Sequence, residues 1–374
     1  MPGATPGRLT IQDIARLAGV SKATVSRVLN RNPSVDPALA ERVTKVVQEH
    51  NFVPNITATV LAGGRTQLIG VLAPPLNWPA MPEIMRGVAE YLEGSPYEIV
   101  LYCIGSQRNH ADVLNRILAM RMISGLLAIF PGGLASQLAT HFQQGLPLVM
   151  IDDQEEPDGM PWVGIDNVGS AYEATRHLLA CGHTRIAHIQ GPTNYHCTLE
   201  RYQGYCRALR EAGIEPDPEL LLQGNFEQSG GRHCASILFA RERERWPSAI
   251  FIGNDEMAYG FLEVAQELGV KIPEDIAVVG FDDYVISAHT TPPLTTVRQP
   301  FSDIGRTAIE LLLTMIDRMN EKQPPTDGRQ TAGGVPTQDF VVDPPCIQLA
   351  TTLVQRASSR LVLPAARKQP GGNL

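Results

Sequence analysis

The chain has 374 residues, 43% hydrophobic and 19% charged, with a formal charge of −8. That is the composition of an ordinary folded protein with room for two or three units, and no apolar run reaches the roughly 20 residues a membrane helix needs. Cysteines at 103, 181, 197, 206, 234 and 346 form no CxxC pair, so neither a zinc finger nor a disulfide framework is indicated. The His196-Cys197 and His233-Cys234 pairs lack a second pair at metal-finger spacing, and no cofactor is implied. MPGATPGRLT carries no apolar signal segment, which predicts a cytoplasmic protein with no membrane partner.

The charge is segregated. Residues 1–65 hold eight Lys/Arg against four Asp/Glu, a net +4, while the remainder carries −12. A basic head on an acidic body can grip a polyanion locally and stay soluble. Residues 1–9 read as a disordered start. Thr10, with Asp13 three residues on, marks a capped helix. Ile11, Ile14, Ala15 and Ala18 recur at helical spacing, and Gly19 suits the left-handed end. Ser21 caps a second helix whose stripe is Val25, Val28 and Leu29. Asp36-Pro37 opens a third, with Leu39, Val43, Val46 and Val47 inward and Asn51 at its end. Two short helices joined by a Gly turn predict an all-α helix-turn-helix DNA-binding head over 10–54. The second helix of such a unit lies in the major groove. Ala23 can then touch a thymine methyl, and Lys22 and Arg27 can address guanine. Thr10, Ser21, Thr24, Ser26 and Asn30 suit phosphates.

TIQDIARLAGVSKATVSRVLN, VPN at 53–55 and LAGGRTQLIGV together resemble the lactose/galactose-repressor family of bacterial transcription regulators. The resemblance implies that 55–65 is a hinge helix and linker, formed on DNA by a dimer. Asn55, Ala58 and the wedging Leu61 would enter the minor groove. A nine-residue helix is marginal alone, and a leucine wedge unstacks a base step. Many members are basic where Ile56 and Thr59 stand here, so hinge contacts are expected to be weaker.

In the body, LIGVLA (68–73), EIVLYC (98–103), GLLAIF (125–130) and PLVMI (147–151) read as buried parallel strands. Helices are expected near 82–93, 109–121 and 134–144. RIAHIQ (185–190), ELLLQG (219–224), SAIFIG (248–253) and IAVVGF (276–281) form a second series, with helices near 168–180, 199–213, 229–243 and 255–269. Such alternation predicts an α/β bilobed core of two doubly wound parallel sheets with ligand space at the strand ends. The resemblance extends here, through 166–192, RYQGYCRAL, 247–283 and PPLTTVRQP. It implies a periplasmic-binding-protein-like effector and dimerisation domain over 66–358, crossing between lobes near 163–166, 291–297 and 324–336. Lobe 1 would then be about 66–164 and 297–323, and lobe 2 about 165–292 and 336–358. The tail 359–374, with Pro364 and Pro370, cannot form a long coil, so a dimer is expected.

The family's effector residues fall on Asp152, on Arg201 of the R-x-x-G-aromatic motif, on Phe226, on Asn254 and on Asp282 of GFDD. Trp78 is a looser match. The acid and amide groups can hold paired hydroxyls, Arg201 can fork across two oxygens, and Phe226 or Trp78 can stack on a sugar face. The bland readings are turn caps at Asp282 and Asn254 and a core ring at Phe226. The implied protein is a regulator, expected to be a repressor, whose partners are double-stranded operator DNA, a second copy of itself and a small-molecule effector. A sugar is the expected effector; a nucleobase is the alternative, since some relatives bind purines. A transport-associated sugar-binding protein would share the body but have no use for the head. No G-x-S-x-G, GxxxxGK[ST] or HExxH stretch supports an enzyme.

Overall fold

The computed structural model describes residues 9–29, 34–52, 66–104, 110–120, 122–131, 133–151, 159–322 and 345–359. A helical head lies before Gln67, and a larger core unit begins at Leu68.

In the head, α1 (Ile11–Ala18) starts on a complete capping box. The Thr10 hydroxyl accepts from the Asp13 amide at 3.3 Å, and the Asp13 carboxylate accepts from the Thr10 amide at 3.0 Å. Gly19, at φ 62°, ends it. α2 (Lys22–Leu29) is capped by Ser21, whose hydroxyl accepts from the Thr24 amide at 3.0 Å. α3 (Pro37–Glu49) is capped by Asp36, which accepts from the amides of Ala38 and Leu39. Ile14, Ala15, Ala18, Val25, Val43 and Phe52 bury together. Helical spacing does not place Phe52 there; Asn51, at φ 46°, turns the chain so that its ring joins this core. Arg42 of α3 donates to the Gly19 carbonyl at 3.2 Å, tying α3 to the turn between α1 and α2.

The core holds two six-stranded sheets. The first contains β1 (Leu68–Ala73), β2 (Glu98–Cys103), β3 (Gly125–Ile129), β4 (Leu148–Ile151), β5 (Trp162–Ile165) and β11 (Cys346–Leu349). Their order is β2-β1-β3-β4-β5-β11, all parallel. The second contains β6 (Ile186–Gln190), β7 (Leu221–Gln223), β8 (Ala249–Ile252), β9 (Ala277–Asp282), β10 (Thr295–Arg298) and β12 (Thr352–Val354). Here the order is β7-β6-β8-β9-β10-β12, with only β12 antiparallel. Central strands such as β3, β4 and β8 are buried throughout, which is why they read as unbroken apolar runs.

The helices of the first lobe are α4 (Met81–Leu92), α5 (His110–Ala119), α6 (Ala135–Gln143) and α11 (Phe301–Lys322). Those of the second are α7 (Asn167–Ala180), α8 (His196–Glu211), α9 (Gln228–Phe239) and α10 (Asp255–Glu267). α11 packs on α4 and on β3, β4 and β5. The two helices touch backbone to backbone: a Cβ on Gly87 would stand 1.8 Å from the Ser302 carbonyl oxygen.

Among the described residues three passages between lobes are seen. β5 leads into α7 at 166. The second passage differs from the expected 291–297, because Thr295–Arg298 still pairs with β9 in lobe 2, and the chain leaves only at 299–300. The third passage is expected near 324–336, which lies outside the described residues. β11 pairs in register with β5 in the first sheet (Cys346 with Trp162), and the chain is seen to cross at 350–351 to β12 in the second. The expected assignment of all of 336–358 to lobe 2 is corrected accordingly.

Candidate functional site

On α2, Val25 is fully buried while Lys22, Ala23 and Arg27 are exposed or half-exposed and Ser26 is half-buried. Val25, with the half-buried Val28 and Leu29 packed on the same cluster, anchors the helix and leaves a polar, cationic face outward. Thr10, Ser21 and Thr24 are engaged in caps, their hydroxyls still near the surface. Asn30, Asn55, Ala58 and Leu61 lie outside the described residues, as do Ile56 and Thr59.

In the core, strand order reverses between β1 and β3 in the first sheet and between β6 and β8 in the second. Loops diverge at such points and leave a crevice at the carboxyl ends of the strands. Trp78 follows β1, and Phe130 follows β3. Their rings meet edge to face at 4.2 Å, and Trp78 also meets Phe301, the first residue of α11, at 6.4 Å. Tyr284, from lobe 2, stacks on Phe301 at 5.9 Å. In the second lobe Phe226 packs on Gly191 after β6 and on Tyr195.

Arg201 of α8 is buried. Its Nε donates to Asn167 Oδ1 at 3.0 Å, its Nη1 donates to the Gly253 carbonyl at 2.7 Å, and its guanidinium lies 3.7 Å from the Phe281 ring centroid. Asn167 Nδ2 donates in turn to Glu200 at 3.0 Å. The glycine of the R-x-x-G motif has a steric cause. A Cβ on Gly204 would stand 2.2 Å from the Val168 carbonyl oxygen, so only glycine lets α8 approach α7 closely enough for Arg201 to reach Asn167.

Asn254 caps α10, accepting from the Met257 amide at 3.0 Å, and its Nδ2 donates to the Phe226 carbonyl at 2.9 Å. The capping reading therefore holds, and the same side chain fixes Phe226 beside Arg201's partner Gly253. Asp282 is buried and accepts from Gln299 Nε2 at 2.7 Å. Burial pushes its carboxyl up to about 6, against the opposing pull of Arg201, Tyr284 and Gln299. Neighbouring Asp255 is also pushed well up, by burial first and the charge of Asp282 second. It accepts from Thr296 and Ser287 hydroxyls at 2.6 and 2.5 Å and from the Tyr284 amide at 3.2 Å.

Five non-glycine residues among those described have positive φ, and Phe130, Phe226, Asp282 and Asp283 are four of them. All four lie at the carboxyl ends of strands, where stored backbone strain marks functional loops. Arg201, Phe226, Asn254 and Asp282 are thus brought together in lobe 2. Trp78 joins them through Phe301 and Tyr284, while Asp152 lies outside the described residues. Phe130, Phe301, Tyr284, Gln299 and Asn167 are not singled out by sequence reasoning. For Gln299 and Phe301 the signal lies in PPLTTVRQP, which ends on Gln299-Pro300 and is followed directly by Phe301. A separate cavity of about 660 Å³ opens behind the passages between lobes, lined by Asp166, Tyr172, Arg207 and Thr351 among others, and it contains none of the expected effector residues.

No helix among the described residues is long and apolar enough to cross a membrane. Residues 10–55 match the model of bacterial regulatory proteins of the lacI family, and 175–332 match that of a periplasmic binding protein-like domain. The chain is 35% identical over 321 residues to the HTH-type transcriptional repressor PurR of Aliivibrio fischeri, covering 84% of this chain and 94% of that one. It is 32% identical over 316 residues to catabolite control protein A of Priestia megaterium, covering 83% and 93%. The Lac repressor dimer bound to operator and the anti-inducer ONPF aligns with a TM-score of 0.77 at 26% identity over 94% of this chain and 99% of that one. The transcriptional regulator CelR in complex with cellobiose aligns at 0.66 and 31% over 94% and 100%. With head, bilobed core and sequence all in agreement, the chain belongs to the lacI family of bacterial regulatory proteins and is a transcriptional repressor, not an enzyme.

Proposed function

We propose that this repressor binds a pseudopalindromic operator as a homodimer and that a neutral carbohydrate in the cleft between the lobes controls its grip. The observation that carries the cleft reading is that Trp78, at the first lobe's switch point, reaches Tyr284 of the second lobe through the Phe301 ring. Arg201, Asp282 and Gln299 supply fork donors and acceptors from one side, and Trp78, Phe130 and Phe301 supply rings from the other. Sugars offer paired hydroxyls to the first set and an apolar face to the second. Likeness to a regulator solved with cellobiose supports the same class. The number of flat rings around the cleft favours a second reading, a purine base.

On DNA, α2 offers Lys22, Ala23 and Arg27 to base edges, with Thr10, Ser21, Thr24, Ser26 and Asn30 suited to phosphates. Asn55, Ala58 and Leu61 are assigned to the minor groove on the family resemblance. Effector binding changes lobe closure and shifts the population able to grip DNA. A near-complete switch takes about 5.5 kcal/mol of differential affinity.

A thermal-shift panel of neutral mono- and disaccharides, cellobiose included, against adenine, guanine and hypoxanthine tests the effector class. At about 100 times the dissociation constant a ligand stabilises by about 2.7 kcal/mol, enough for a shift of several degrees. A shift with bases and none with sugars installs the second reading. Silence from both classes at millimolar concentration sinks the cleft assignment.

A further inference from the structure

The loop Phe281–Tyr284 carries two consecutive non-glycine residues in the left-handed region, Asp282 at φ 116° and Asp283 at φ 56°. Such backbone persists only where its surroundings over-determine it. Asp282 accepts from Gln299, which sits in the second passage between lobes. The Asp283 side chain is also buried, 3% exposed, and its two oxygens are taken by different arginines. Arg298 Nε donates to Oδ2 at 2.6 Å, and Arg356 Nη2 lies 2.6 Å from Oδ1 as an ion pair without hydrogen-bond geometry. Arg298 is the last residue of β10, immediately before the second passage. Arg356 lies just beyond β12, after the third. Its Nη1 donates to the Leu294 carbonyl at 2.7 Å, and its amide donates to the Thr295 hydroxyl at 2.8 Å. One buried carboxylate therefore holds both return segments, and its chain neighbour is the candidate effector contact.

We infer that Asp283 is a positioning residue that couples the cleft loop at Asp282 to the second and third passages between the lobes. Fixed φ angles join the two carboxylates into one short rigid unit, so Asp282 cannot shift without moving Asp283. A buried carboxylate that releases one arginine is left poorly compensated. The loop and the passages consequently move together between discrete arrangements. The identity of the signal rests on the cleft reading above, but the coupling does not require an effector. By reciprocity, a change imposed at the passages must be felt in the cleft loop.

The test uses full-length protein and hydrogen–deuterium exchange, free and bound to a duplex that the wild type selects from random DNA. In the wild type, DNA binding is expected to change exchange at least threefold in peptides covering 294–300, 350–357 and 281–284. In Asp283→Asn the passages still respond, while the response at 281–284 falls at least threefold. Asp283→Glu restores part of it. Arg356→Lys, which keeps the charge but loses the bond to Leu294, gives an intermediate loss and serves if Asp283→Asn does not fold. An intact response at 281–284 in these variants overturns the inference, as does its absence in the wild type. A uniform rise in exchange that leaves the bound-minus-free difference unchanged also overturns it, since that marks a clamp without coupling. No effector enters the experiment, so a failed ligand panel and a failed coupling are told apart.

Discussion

Replacing Asp282 by asparagine should turn a nearly flat pH dependence of stability between pH 4 and 6 into a steep one. The folded Asp282 carboxyl is held at about 6, because burial penalises its charge more than Arg201 and Gln299 favour it, against 3.8 for an ordinary aspartate. Between those values the folded protein holds a proton that the unfolded chain has released. Stability from this group is therefore greatest at low pH and is lost as pH rises from about 4 to 6. At 1.36 kcal/mol per pKa unit the loss is about 3 kcal/mol. The amide in Asp282→Asn stays neutral throughout. The variant should match the wild type near pH 4, apart from a constant offset, and gain on it by about 3 kcal/mol by pH 7.

His188 supplies the opposing slope. It is fully buried among Tyr202, Tyr205 and Phe251, its Nδ1 donates to the Phe251 carbonyl at 2.9 Å, and its Nε2 has no partner. Burial lowers its pKa from 6.5 to about 4. Here the folded state binds fewer protons than the unfolded, so stability is lost as pH falls from 6.5 towards 4, by about 3 kcal/mol. In the wild type the two slopes largely cancel between pH 4 and 6. Asp282→Asn should expose that of His188, and the variant should weaken steadily on acidification. The assay is urea unfolding at pH 4.5 to 7.5 read by tryptophan fluorescence, since all three tryptophans (78, 162 and 246) lie in the core. A stability difference between variant and wild type that is the same at every pH would refute the reasoning.

Ile14→Ala removes a fully buried side chain from the small cluster of the head. It should cost about 2–5 kcal/mol, close to all that so short a unit possesses; DNA retardation is lost while the tryptophan-reported transition of the core stays put. Gly87→Ala drives a Cβ into the Ser302 backbone, so α4 and α11 must separate, at about 1–3 kcal/mol in urea unfolding; unchanged stability would deny the close approach. Arg27→Ala should weaken binding to a selected duplex by about 1–3 kcal/mol and to random DNA far less. Equal losses, with the salt slope shallower by about 0.9 per phosphate contact removed, would place Arg27 on phosphate instead.

The central strands could be read from sequence because burial on both faces leaves no polar alternation to confuse them. Sequence reasoning gives no strand at β5 or β10, and expects β11 and β12 only as unbounded strands of the second lobe up to about 355; all four have three or four residues, and TTVR, CIQL and TLV mix polar and apolar types. Such a segment does not say which sheet it joins. Only the register of Cys346 against Trp162 puts β11 in the first lobe and reveals a passage at 350–351. Phe130, Phe301 and Tyr284 escaped for the converse reason: a ring beside an apolar run reads as core until the strand order puts it at a switch point.

Polar pairs at strand ends explain what was legible in the site and where it stopped. Asn254-Asp255 and Asp282-Asp283 each follow an apolar strand, and their polarity there announced a function. Polarity alone could not apportion the roles within each pair. Successive residues leave a strand in different directions, so each pair divides its work. Asn254 fixes Phe226, while Asp255 turns inward to Thr296, Ser287 and the Tyr284 amide. Asp282 meets Gln299, while Asp283 takes Arg298 and Arg356. The members that face the frame have partners distant in sequence, 32 and 41 residues on for Asp255 and 15 on for one Asp283 bond, so no local pattern could reveal them. A residue that contacts a ligand can be suspected from its own type and place in the chain. A residue that connects the ligand site to the moving segments can be found only once those segments have been brought beside it.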